Sequence, residues 1–338
     1  MKTHTTSRRS ILHLASATTA TMLGMTLSKD CLAQATADTT ISQLRILCSG
    51  PAGSIPDIVA RRVAEQLTRQ YPQGAIVDNR PGAAGQIAVN ALKVAVPDGS
   101  TILLAQGAVA TVYPYLYAKL AYDPIVDLQP LSMAGEMTLA LAIGPAVPSA
   151  VTTLADLLIW MRANPKLANV ASPGTGTLPH LLEAMFFREA NVPWQHVVYA
   201  GGPPAIIDLL GGQVAALVLP EGLFRQHKAS GKIRILATSG AERSTYFPDI
   251  PTFVEQRYRN LIIREWFAFF MPARVPNSTI NAVSQHLQSA LIRPELVTTF
   301  ADSGMSAVSS TPAALASRIA QEQRYWQPIL LSTGIKAE

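Results

Sequence analysis

The chain has 338 residues, of which 49% are hydrophobic, 14% are charged and 24 are proline. That length suggests about two domains at ~150 residues each, and the low charge with a mean hydropathy of +0.22 excludes a disordered, solvating chain. Two cysteines exclude a disulfide scaffold and a four-thiolate zinc site, and no uninterrupted run of ~18 apolar residues demands a membrane span.

The first element is an export signal over residues 1–35. Arg8-Arg9 precede a weakly apolar stretch from Ile11 to Leu27, and Ala33-Gln34-Ala35 offers a small-x-small cleavage site. The paired arginines point to the twin-arginine route, which carries folded cargo; a Sec signal that holds two arginines is the alternative. A lipoprotein is disfavoured because the charged Lys29-Asp30 stands before Cys31. Cleavage removes Lys2, Arg8, Arg9, Lys29 and Asp30, so the net charge of +5 falls to +2. The apparent basicity is mostly the signal's, and the mature chain shows no basic run with interleaved aromatics for nucleic acid. Cys48 then stands alone at the end of a strand, where a core thiol is the expected role.

Leu44–Cys48 reads as a strand, and Ile58, Val59, Val63 and Leu67 share one face of the following helix. Ala75–Asp78 is a second strand, Ile87, Ala91 and Leu92 mark a second helix, and Thr101–Ala105 is a third strand. This βαβαβ order predicts a parallel, doubly wound sheet. The pattern restarts after Pro148, with helices at Leu154–Ala163, Leu178–Ala190, Ala205–Leu210 and Leu223–Ala229. Strands at Ala168–Ala171, His196–Tyr199, Val214–Leu219 and Ile233–Thr238 alternate with them. A strand at Trp266–Met271 and helices at Thr279–Ile292, Pro294–Asp302 and Pro312–Trp326 close the chain. Two successive α/β units predict two lobes, residues 42–145 plus about 272–338, and residues 146–271. The chain is expected to cross between them near Ile143–Pro148 and Glu265–Pro272, forming a hinge.

Three strand-to-helix loops carry the chemistry. They are Gly50-Pro51-Ala52-Gly53-Ser54-Ile55-Pro56-Asp57, Ser172-Pro173-Gly174-Thr175-Gly176-Thr177-Leu178-Pro179-His180, and Ala200-Gly201-Gly202-Pro203-Pro204. In a parallel sheet such loops lie at the carboxyl ends of strands, where ligands bind. Unpaired N–H groups and positive helix termini there favour a carboxylate, phosphate or sulfate. Ordinary capping explains any one loop; three of them across two lobes point to a cleft. Ser54 and Asp57 have capping-box spacing, and Asp57 is read chiefly as a cap. Enzyme patterns are sparse: the mature chain's His180, His196, His227 and His286 form no metalloprotease motif, and neither a Gly-x-Ser-x-Gly elbow nor a Walker A loop occurs. His180 and Glu183 are spaced to meet on one helix, most simply as a surface pair, and His180 is expected either to face a ligand or to brace its loop. No metal and no cofactor are expected.

Several stretches resemble the Bug family, the periplasmic binding subunits of tripartite tricarboxylate transporters. Pro51-Ala52-Gly53-Ser54-Ile55-Pro56-Asp57 followed by Ile58-Val59-Ala60-Arg61 is similar to that family's first loop, and Asn79-Arg80-Pro81-Gly82-Ala83-Ala84-Gly85 to its Asn-Arg-Pro-Gly stretch. Pro97-Asp98-Gly99, Tyr122-Asp123-Pro124, the Ser172–His180 loop, Tyr199 through Val214 and Pro248-Asp249-Ile250-Pro251-Thr252 follow it too. The resemblance covers about residues 44–330 and implies an α/β, two-lobed periplasmic binding protein of type II-like form. Each lobe would be a sheet flanked by helices, hinged by two crossings. It implies a monomer that closes on a small organic acid, without catalysis, and delivers it to large and small membrane subunits. A periplasmic sensor docking on a sensor kinase is the alternative, and a hydrolase or lyase using His180 and Glu183 a third. The expected ligand set is Gly53, Ser54, Ile55, Asp57, Ala108, Val109, Ser172, Thr175, Gly176, Thr177, His180, Tyr199, Ala200, Gly201 and Glu221. The chain departs from the family at Ser54, Ile55-Pro56, Thr175, Thr177 and Ala200, the last standing where lysine is common. Ile55 is expected to dry the pocket and favour a less polar acid.

Overall fold

In the computed structural model, residues 41–333 and 336–337 are described; the expected export signal, residues 1–35, lies outside them. Strands β1 (Leu44–Cys48), β2 (Ala75–Asn79) and β3 (Thr101–Gln106) alternate with helices α1 (Ile55–Leu67) and α2 (Gln86–Lys93). β1 pairs in parallel with both β2 and β3, as the βαβαβ order predicts. Short helices α3 (Ala108–Thr111), α4 (Tyr113–Leu116) and α5 (Pro124–Asp127) lead into β4 (Leu128–Ile143). Next come α6 (Leu154–Ala163), β5 (Asn169–Ser172), α7 (Leu178–Glu189), β6 (Gln195–Val198), α8 (Gly202–Leu210), β7 (Ala216–Pro220), α9 (Gly222–Lys228) and β8 (Arg234–Thr238). β9 (Arg264–Pro272), α10 (Asn277–Leu291), α11 (Pro294–Asp302), β10 (Ser306–Ala307) and α12 (Pro312–Thr333) complete the order.

The strands join in the order β2-β1-β3-β9-β4-β7-β5-β6, with β8 and β10 also paired to β4. The sheet is mixed, which corrects the all-parallel expectation. β9 runs antiparallel between β3 and β4, and β4 runs antiparallel to β7 and β8. The cause is β4, a 16-residue strand absent from the sequence reading. It pairs with β9 from Leu128 to Thr138 and with β7 from Leu139 to Ile143. The chain therefore passes between the two sheet halves inside β4, earlier than Ile143–Pro148. It returns before Arg264, because β9 pairs with the first half along its whole length.

Side chains alternate into two apolar clusters, one on each face of the sheet. Leu47, Leu103, Leu139 and Leu141 enter one; Ile46, Leu104, Ala140 and Ala142 enter the other. A strand covered on both faces shows no polar alternation, and Leu128–Ile143 accordingly lacks the period-two pattern of a half-buried strand. Pro130 and Gly135 disguised it further, and both stand where the register with β9 shifts. The second helix stands where Ile87, Ala91 and Leu92 mark it, and α2 buries Ala88, Val89 and Leu92, while Ile87 is half exposed against Gly82.

Candidate functional site

The first loop is built by a carboxylate. Asp57 is buried, and its Oδ2 accepts from the Gly53 N–H at 3.0 Å. Its Oδ1 accepts from Asn79 Nδ2 at 2.8 Å and pairs with Arg61 Nε at 2.9 Å. Burial pushes the Asp57 pKa up, but Arg61, Gly53 and Asn79 together outweigh it and hold the carboxyl below its ordinary value. The expected capping box is absent, since the Ser54 hydroxyl donates instead to the Pro51 carbonyl at 2.6 Å. Asp57→Ala would leave two partly buried donors without an acceptor, and the expected cost at neutral pH is about 2–3 kcal/mol. A depressed folded-state pKa means that this contribution is present above the ordinary carboxylate range and is lost as the pH falls through the lowered value. Urea melts should therefore show a large gap between wild type and variant at neutral pH and a smaller one near pH ~3; equal midpoints at neutral pH would remove Asp57 as the brace.

The second loop is braced from within. His180 Nδ1 accepts from the Gly176 N–H at 3.1 Å, and the Thr177 hydroxyl donates to the Gly174 carbonyl at 2.7 Å. The His180 ring stacks on His196 at 4.0 Å, and His196 Nε2 lies 2.7 Å from the Ser172 hydroxyl. Burial lowers His180 to about 3, helped by His196, which burial lowers to about 4. Both rings are neutral at neutral pH, as an accepting Nδ1 requires. His180 thus braces its loop. Glu183 is fully buried, and burial raises its carboxyl well above the usual range, so the expected surface pair with His180 does not exist. Its two oxygens find no hydrogen-bond partner.

A fourth segment adjoins these loops. Gly82, Ala83, Ala84 and Gly85 all have positive φ, at 116°, 44°, 50° and 91°. The two alanines occupy a conformation that L-residues rarely adopt. The turn is held from behind: Tyr113 Oη donates to the Ala84 carbonyl at 2.8 Å, Gln106 Nε2 donates to the same oxygen, and the Ser49 hydroxyl donates to Gln106 Oε1 at 2.9 Å.

These parts enclose a cavity of about 450 Å³, within the range of small-molecule sites. Ser54, Ile55 and Pro56 at the start of α1, Thr177 and Pro179 at the start of α7, and Gly201 and Gly202 at the start of α8 all line it. The first turns of three helices thus bring their positive dipole ends to one space. The halves meet around it. A Cβ on Gly201 would lie 2.7 Å from Pro51, one on Gly174 would lie 3.2 Å from Ala84, and Tyr117 Oη donates to the Thr175 carbonyl at 2.6 Å. Among the described lining residues there is no Lys, Arg or His, and Glu265 is the sole acid.

Of the expected ligand residues, Ser54, Ile55, Thr175, Thr177, Tyr199, Ala200 and Gly201 line the cavity. Gly53, Asp57, Ser172, Gly176 and His180 stand behind it and support its loops. Ala108 and Val109 are buried in the apolar core under β3. Glu221 is turned to the Ser244 hydroxyl at 2.8 Å, and burial raises its pKa. Among the lining residues missed are Gln106, Tyr117, the Ala83–Gly85 turn, Glu265 and Phe267. Gln106 ends a parallel strand, the position where ligands gather. Glu265 is an acid heading the apolar run Trp266–Met271, a pattern that marks a buried polar group.

This α/β fold, with loops of both sheet halves walling one cleft, defines a periplasmic binding protein. A solved structure described as a periplasmic transporter is 26% identical and superposes with a TM-score of 0.81, covering 87% of this chain and 98% of its own. The model of the tripartite tricarboxylate transporter family receptor matches residues 59–335, and the chain belongs to that family, whose members are binding proteins rather than enzymes. BugT of Bordetella pertussis is 32% identical over 294 residues, covering 87% of this chain and 90% of BugT. MatC from Rhodopseudomonas palustris, solved with bound malate, shares the fold at 23% identity and a TM-score of 0.79, covering 85% and 98% of the two chains.

Proposed function

We propose that the protein is an exported receptor for a small carboxylate-bearing organic acid, which it passes to a membrane transporter of one large and one small subunit. The observation that carries this reading is the convergence of three helix N-termini on a cavity with no basic side chain among its described lining residues. A carboxylate placed there is stabilised by dipoles and N–H groups without a matching cation, and the malate complex of MatC is a relative's precedent for such a ligand. Four or five charge-assisted hydrogen bonds at ~1.5–3 kcal/mol each, less the cost of association, leave about −8 kcal/mol, a micromolar affinity. The two sheet halves act as lobes that close over the acid. Residues 1–35 act as the signal that sends the chain to the periplasm, by the twin-arginine route.

The test is native mass spectrometry of protein recovered from the periplasmic fraction, followed by calorimetric titration with the acid it carries. The expected result is a chain lacking the signal, an unconverted acid at one copy per chain, and a smaller radius of gyration in small-angle scattering when that acid is added. Turnover of the acid, or saturation with no change in scattering, would sink the receptor and the closure respectively.

A further inference from the structure

The cavity holds one polar group that the protein leaves unfinished. Glu265 is 3% exposed and lines the cavity, and its Oε1 has no hydrogen-bond partner. The Trp266 backbone favours the ionised form but does not outweigh burial. A buried carboxyl oxygen without a partner is costly, and Glu265 is the acid on the cavity wall, so a ligand group that completes its pairing is favoured there.

The charges around Glu265 decide what that is. Behind it, Glu322 accepts from the Trp266 indole N–H at 2.8 Å and pairs with Arg318 at 2.9 Å. Arg318 also pairs with Glu136 at 3.0 Å, and Arg264 reaches Glu136 at 3.3 Å. Tyr113 lies nearby, a phenol that burial keeps protonated. With Glu265 ionised, the set Glu136, Glu265, Glu322, Arg264 and Arg318 carries one net negative charge. A second ligand carboxylate would add to it, whereas a cation would complete it.

We propose that Glu265 sets the specificity of this cavity by pairing with a protonated amine, so that the ligand is an aminocarboxylate whose carboxylate faces the helix N-termini. The inference rests on the carboxylate reading above and adds the ligand's second group.

A pH signature follows. Burial, with Glu322 beside it, pushes the unliganded Glu265 carboxyl up to about 8. An ammonium stabilises the ionised form, so binding below that value expels a proton. Affinity then rises by up to about tenfold per pH unit between about pH 6 and 8 and flattens above. A ligand that accepts a hydrogen bond from neutral Glu265 would show the opposite slope.

Calorimetry should compare β-alanine, γ-aminobutyrate, δ-aminovalerate and ε-aminocaproate with malonate, succinate, glutarate and adipate, in wild type and Glu265→Gln. At the best-fitting length the amino acid is expected to bind at least about tenfold tighter than the dicarboxylate, and Glu265→Gln to abolish that preference and the rise with pH. The wild-type pH slope needs no variant and stands even if Glu265→Gln melts early. A preference for the dicarboxylate, a preference for the amine that survives Glu265→Gln, or an affinity that falls from about pH 6 to 8 would each overturn the inference. Failure of both series to bind would remove the carboxylate reading itself, and this inference with it.

Discussion

Gly107→Ala should cost about 3 kcal/mol of stability or more and lower the melting temperature by at least about 6 °C. A Cβ at this position would lie 2.1–2.5 Å from three atoms of the Trp266 ring. The ring cannot swing away. It is fully buried, its indole N–H is held by Glu322, Arg318 covers it at 5.0 Å, and the Gly107 N–H is bonded to the Trp266 carbonyl at 2.8 Å. Relief must come from a shift of β9 or of the turn between β3 and α3, and β9 carries Glu265 and Phe267 on the cavity wall. Trp266→Phe in the same chain should recover part of the loss, because a smaller ring leaves room for the methyl group. Thermal melts followed by circular dichroism decide the matter; a melting temperature within about 2 °C of wild type would mean that the strand yields easily.

Gly176→Val should weaken acid binding at least about tenfold more than Thr177→Ala, a gap of ~1.4 kcal/mol. The threonine change removes one hydroxyl bond, to the Gly174 carbonyl, worth ~1 kcal/mol. The glycine change meets two obstacles. Gly176 has φ +81°, where a Cβ is strained, and that Cβ would lie 2.3 Å from Leu116 and 3.2 Å from Tyr117. Tyr117 holds the Thr175 carbonyl, and both residues line the cavity. The N–H of Gly176 is already given to His180, so the damage passes through the displaced wall rather than through a lost ligand contact. Titration of both variants with the acid that wild type binds, after melts confirm folding, is the check. Equal affinities would make this loop a scaffold without influence on the ligand.

What was legible in the sequence is what local chemistry dictates. Pro294 opens α11 and the helix runs to Asp302 as expected, because the fixed φ of proline suits the first helical position, where its missing N–H costs nothing. The three Gly-rich loops announced themselves by composition, and all three reached the cavity. Side-chain roles inside the loops did not follow, because hydrogen-bond partners are chosen by distance in space. Asp57 found Asn79 on β2, and His180 turned back to Gly176 while stacking on His196 of β6. Gln106, Tyr117 and Glu265 reach the cavity from strand ends and a turn that carry no loop motif, and only the folded sheet sets them together. β4 hid for a related reason: burial on both faces erases the pattern by which a strand is usually read.

The unbroken course of β4 also sets an order of assembly. One strand lies at the centre of the sheet, and its neighbours β9 and β10 come from near the end of the chain. Contacts so distant in sequence form late and slowly. During synthesis the first hundred-odd residues can fold β1–β3 with their helices, but β4 stays unpaired on one edge until residues 264–307 have emerged. A chain cut before β9 keeps an exposed apolar strand edge, the kind that seeks another chain. Residues 39–338 are therefore one compact unit whatever its two halves do on binding, and a cut between the halves would break the pairing of β4.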